Sequence, residues 1–119
     1  MNLRPIDPPR RRPAPTEFHV DSYAEPLRLT ARTLIVAVKD NCLGCAEFMA
    51  EPSLDGWNLL LIARNEIPHA PQVLVSTEAF ALFDIRSEPF FVALDGEPLM
   101  IVTEGVPFSL SHTLEQLPQ

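Results

Sequence analysis

From Leu34 to Val38 the chain runs apolar without interruption, and Thr33 to Val38 reads as a strand buried on both faces. Trp57 to Ala63 reads as a second such strand, and Val73-Leu74-Val75 as a third, short one after a loop bracketed by Pro68 and Pro71. Between the first two strands, Phe48 and Met49 give an apolar side to a short helix over about residues 43 to 50. It stops near Pro52, with Asp55-Gly56 as a turn. Ser76 or Thr77 caps a second helix, which has Glu78 in its first turn and a wide apolar face of Ala79, Phe80, Leu82 and Phe83, and which ends near Asp84. Phe90 to Leu94, then Asp95-Gly96, then Pro98 to Thr103 predicts a hairpin, because Asp-Gly suits a type I′ turn. Ser109 or Ser111 caps a closing helix through His112, Leu114 and Leu117, ended by Pro118. Upstream, Glu17 to Val20 reads as a short edge strand, and Asp21 to Thr33 as a short helical turn interrupted by Pro26. The order predicts an α/β sheet of mixed direction, covered on both faces.

Composition sets the boundaries. At 119 residues and 46% hydrophobic content the chain can bury one core, hence one domain. Five of its thirteen prolines (Pro5, Pro8, Pro9, Pro13 and Pro15) fall in residues 1 to 15, which favours extended polyproline over a packed element. The expected division is a proline- and arginine-rich arm, 1–16, and a folded domain, 17–119.

Charge separates the same parts. Residues 1 to 32 hold six Arg against four acidic residues, and residues 33 to 119 hold three basic against twelve acidic. An acidic body argues against nucleic-acid binding, which begins with phosphate neutralisation by clustered Lys and Arg. The Arg10-Arg11-Arg12 run reads as a solvated charge run in the arm. No apolar stretch approaches the roughly 18 residues that would span a bilayer, and the N-terminus lacks a secretory apolar segment, so no membrane partner and a cytoplasmic location are expected.

The chemistry concentrates in Cys42-Leu43-Gly44-Cys45, which holds both cysteines of the chain. Two cysteines so spaced in a reducing compartment are more often catalytic or metal-binding than structural. A buried strand that ends at this tetrad and leads into a helix puts the first sulfur at a helix N-terminus, where unpaired N–H groups and the dipole favour thiolate. Cys42 is then the nucleophile and Cys45 the resolving thiol. No metal site is expected, because tetrahedral zinc wants four ligands and His19, His69 and His112 are scattered without metal spacing. Nor does any motif call for a cofactor. Trp57 reads as core or rim packing, and Lys39 and Asp40 as solvated charges near a strand end.

Taken together, the Leu34–Val38 strand, the Cys42–Cys45 helix start, the segment Phe83-Asp84-Ile85-Arg86-Ser87-Glu88-Pro89 and the stretch Phe90-Phe91-Val92-Ala93-Leu94-Asp95-Gly96-Glu97 resemble the thioredoxin superfamily. The likeness covers about residues 30 to 117 and is closer to TlpA-like and MauD-like proteins than to small thioredoxins. It implies a thioredoxin-like three-layer α/β/α sandwich with a central mixed sheet of four to five strands. It also implies that Pro89, about 44 residues after the second cysteine, is a cis-proline facing the dithiol, and that Glu88 offers its backbone to an incoming peptide. Three positions depart from the family pattern. Asn41 stands where Trp is usual, Leu-Gly replaces Gly-Pro inside the tetrad, and Val36 occupies the place of a buried acid. Proton transfer from Cys45 then needs water or a group such as Asp40, Glu47 or Glu66. A carboxylate at Glu88 near Cys42 would oppose the thiolate and favour cationic substrates. The expected activity is thiol–disulfide exchange with a protein partner. The rival expectation is a noncatalytic thioredoxin-fold interaction or adaptor protein that docks a partner through its arm or a sheet edge.

Overall fold

The longest apolar run forms a central strand, β4 (Thr33–Ala37), every residue of which is buried. It needs no polar face because it has a strand on either side and an apolar cluster above and below. The computed structural model describes residues 12–50, 54, 56–107 and 109–117. Helix α1 (Leu43–Ala50) follows β4 and leads to β5 (Asn58–Ala63), which lies parallel to β4 in a register running from Thr33↔Asn58 to Ala37↔Ile62. On the other side, β7 (Phe90–Asp95) is antiparallel, with pairs from Thr33↔Leu94 to Ala37↔Phe90. Strand β6 (Leu74–Val75) extends the parallel side, and β8 (Met100–Gly105) the antiparallel side. A two-residue strand, β1 (Arg12–Pro13), pairs with β8, so the sheet order is β1-β8-β7-β4-β5-β6.

The alternation along β4 divides the core. Leu34 and Val36 join Cys45 and Phe48 of α1, together with Trp57, Phe91 and Leu117, on one face. Ile35 and Ala37 join Phe18, Val20, Phe83 and the Ala79–Phe80 stretch of α2 (Thr77–Leu82) on the other. Helix α3 (Leu110–Gln116) brings Leu110 against the first cluster. The result is an α/β fold with a mixed six-stranded sheet and three helices among the described residues. Full burial of an aromatic side chain such as Phe48 contributes on the order of 2–3 kcal/mol through the area removed from water.

Several expectations are corrected. The sheet has six strands rather than four to five, because the end of the arm docks as β1. Proline is tolerated there, at a sheet edge where one side of the strand needs no ladder donor. The Arg12 guanidinium forms a two-pronged contact with the Glu104 carboxylate, one prong being Nη2 to Oε1 at 3.0 Å. That hydrogen bond is the main cause raising the Arg12 pKa above its ordinary value, with partial burial opposing it. The helical turn expected over 21–33 is absent. Residues Leu27–Arg28 instead form β3, antiparallel to β2 (Glu17–Phe18) in a separate two-stranded sheet. Pro26 disfavours a helix, while the pairing lets Phe18 bury its ring edge-on to Phe83, with centroids 6.4 Å apart.

The β7–β8 connection spans Gly96 to Leu99 rather than two residues, and Gly96 takes a φ of 93° while its N–H donates to Asp95 Oδ1 at 2.8 Å. The stop near Pro52, Asp55 of the predicted turn, the Pro118 stop and arm residues 1–11 lie outside the described residues. Among the described residues, no helix is long and apolar enough to cross a membrane.

Candidate functional site

Strand β4 delivers the tetrad to the edge formed by the C-terminal ends of the parallel strands, the usual place for sites in open α/β sheets. The turn from β4 into α1 needs a left-handed residue, and Asn41 supplies it with a φ of 56°. Asparagine tolerates that region better than a bulky side chain does, which accounts for this residue locally. Asp40 Oδ1 accepts from the Asn41 N–H at 2.9 Å and steadies the turn. Cys42 and Cys45 are joined as a disulfide, with Cα atoms 5.2 Å apart, and the Cys45 N–H donates to the Cys42 carbonyl at 3.1 Å. Cys42 is half-buried and Cys45 fully buried among Val36, Phe48 and their neighbours, whereas Leu43 between them is 96% exposed. The first turn of α1 carries no carboxylate that would cancel the positive end of the helix.

The Ala37↔Phe90 pair sets the residues that precede β7 beside those that follow β4. Pro89 accordingly reaches the tetrad. A Cβ built on Gly44 would lie 3.2 Å from Pro89 Cγ and 3.6 Å from Cδ, so the tetrad and the Pro89 loop are in close contact through a position where glycine leaves room. The Glu88–Pro89 peptide bond is cis, as is Glu97–Pro98 in the β7–β8 connection.

The Glu88 side chain is only 12% exposed, and its Oε2 lies 3.4 Å from Arg64 Nε. The carboxylate expected to act as a bare charge near Cys42 therefore has a cationic partner. Of the proton-transfer candidates, Asp40 lies 3.9 Å from His69 Nε2, Glu47 accepts from the Leu110 N–H at the start of α3, and Glu66 is exposed. Val36 faces the same cluster as Cys45 and offers that sulfur no proton acceptor. No family model, curated protein or solved structure matches this chain.

Among the described residues there is no group of three or more His, Cys, Asp or Glu arranged to hold a metal ion. Trp57 is buried, and the Arg32 guanidinium lies 4.5 Å over its ring, a packing role. Sequence reasoning missed Arg64, which stands at the end of β5 on the same sheet edge as the tetrad. The one signal was its place, directly after an apolar strand parallel to the cysteine-bearing one.

Proposed function

We propose that the chain is a thiol–disulfide oxidoreductase of thioredoxin-like, three-layer form that acts on a protein partner through Cys42 and Cys45. The observation that carries this reading is the Cys42–Cys45 bridge at the β4–α1 junction, with Pro89 packed on Gly44 of the same tetrad. The mixed sheet with an apolar cluster on each face supports the layered description. Reduced Cys42, the less buried sulfur, attacks one sulfur of a substrate disulfide, and the other substrate sulfur leaves as thiolate. Cys45 then attacks Cys42 Sγ, closing the internal disulfide and releasing the second substrate thiolate, so that two electrons pass to the substrate. The reverse sequence oxidises a substrate dithiol. Acidic residues 33 to 119 favour a protein over a nucleic acid as partner, and the proposed setting is the cytoplasm.

The test is to equilibrate the protein in graded dithiothreitol and glutathione buffers and count free thiols by mass after alkylation. A reversible two-electron transition within roughly −120 to −270 mV supports exchange, and its midpoint gives the preferred direction. A pair that stays inert throughout refutes the reading and leaves the noncatalytic adaptor. With Cys45→Ser, a mixed disulfide captured through Cys42 supports the enzyme.

A further inference from the structure

Arg64 joins three parts of the chain that meet at the loop carrying Pro89. Its guanidinium stacks over the Phe80 ring of α2 at 4.2 Å, its Nη2 donates to the Ile85 carbonyl at 3.0 Å, and its Nε lies 3.4 Å from Glu88 Oε2. These partners are the helix before the Pro89 loop, the turn that leaves that helix, and the residue next to Pro89. The turn is sharply defined: Asp84 has a φ of 55°, and the Ile85 N–H donates back to the Phe80 carbonyl at 2.9 Å. A planar guanidinium can stack on one partner while its edge meets two others, which an ammonium group cannot do. Glu88 is more enclosed than Arg64, at 12% against 45% side-chain exposure, so loss of this cation would leave a largely enclosed carboxylate without the partner it has among the described residues.

We propose that Arg64 is a positioning residue that fixes the 85–89 loop at the height where its backbone meets a peptide disulfide; the proposal rests on the exchange reading above. Arg64 acts on recognition, through Ile85 and Glu88, and not on the intrinsic reactivity of the Cys42 sulfur. Because Pro89 already abuts Gly44 closely, a loop released at Glu88 and Ile85 changes what the tetrad faces.

The test compares the full chain with Arg64→Gln, Arg64→Lys and Glu88→Gln. Three quantities are measured for each: the rate of exchange with a synthetic peptide holding one internal disulfide, the alkylation rate of reduced Cys42 with iodoacetamide, and the unfolding temperature. Misplacement of a reacting partner costs up to about 100-fold, so Arg64→Gln is expected to slow peptide exchange roughly 10- to 100-fold. Alkylation, measured at a pH where reduced Cys42 is fully thiolate so that the charge left at Glu88 does not enter, is expected to stay unchanged, and Arg64→Lys to restore only part of the loss. Equal exchange rates in wild type and Arg64→Gln overturn the proposal, as does a proportional fall in both rates, which marks a merely structural role. If Arg64→Gln does not fold, Glu88→Gln decides with an uncharged peptide under the same alkylation conditions, because it removes the charge that ties the loop to Arg64 while leaving the Ile85 contact: slower exchange with unchanged alkylation supports the proposal, and an unchanged exchange rate overturns it. A wild-type protein that exchanges nothing refutes the functional reading itself, a result distinct from failure of the Arg64 role alone.

Discussion

Replacing Gly44 with alanine sets a gain in helix propensity against a collision with Pro89. Gly44 is the second residue of α1 and needs no left-handed backbone, so alanine gains up to about 1 kcal/mol there. The added Cβ, however, would stand 3.2 Å from Pro89 Cγ. Carbon atoms prefer about 3.5–4.0 Å, so a shortfall of at least about 0.3 Å must be relieved. A flexible side chain would rotate aside, but the proline ring is closed onto its own backbone. Relief has to move the 85–89 loop, which Arg64 holds at Ile85 and Glu88. Overpacking of this kind costs roughly 1–3 kcal/mol, giving a net loss of roughly 0–2 kcal/mol. A loss of about 1 kcal/mol corresponds to roughly 3–5 °C in unfolding temperature at this chain length. The assay is urea and thermal unfolding of the oxidised protein followed by circular dichroism. Ala46→Gly, at an exposed position of the same helix, serves as the control for propensity alone, with an expected loss of about 1 kcal/mol. Stabilisation of Gly44→Ala by the full propensity gain would refute the argument, since it would mean that Pro89 yields freely.

Reducing the Cys42–Cys45 bridge opens a ring of four residues, for which chain entropy gives a loss of about 2 kcal/mol. The urea midpoint with and without dithiothreitol checks this, and an unchanged midpoint contradicts it. Arg12→Ala removes the contact to Glu104, and because the arginine side chain is 40% exposed the expected loss is only about 0.5–1 kcal/mol. That difference should shrink at about 1 M salt, where the screening length is near 3 Å, as measured by paired urea titrations.

The elements that the sequence made legible are those where one local signal coincides with burial. β4 and β7 are continuous apolar runs buried on both faces, and α2 has a capping serine whose Oγ accepts from the Ala79 N–H at 3.1 Å. The choice between Ser76 and Thr77, and between Ser109 and Ser111, was not legible, because it depends on which residue stays extended while the next turns helical. β1 and β3 were hidden for a different reason. Arg12–Pro13 and Leu27–Arg28 are two residues each, too short for any period, and exist only because β8 and β2 offer them a ladder. At the candidate site, the tetrad and Pro89 stood out as motifs, whereas Arg64 read as an ordinary charge past a strand. Its contacts arise from the return of residues 85–88 toward the end of β5, and no spacing in the chain encodes that return.

The pairing Ala37↔Phe90 makes the sheet a ruler for the site. Five consecutive residue pairs between β4 and β7 fix how far Pro89 projects relative to Cys42. The many residues between the two motifs do not enter that distance. Lengthening the connection after β5 at its exposed positions 65–66, ahead of the buried Ile67, Ala70 and Val73, should leave the dithiol and Pro89 in contact. One residue inserted near the start of β7 would instead displace Pro89 by about 3.4 Å and turn its neighbours to the opposite face of the sheet. Tolerance to insertion is thus set by the strand ladder and by the few connection residues that enter the core, and the exposed stretches between them are free to diverge in length while the two motifs stay locked together.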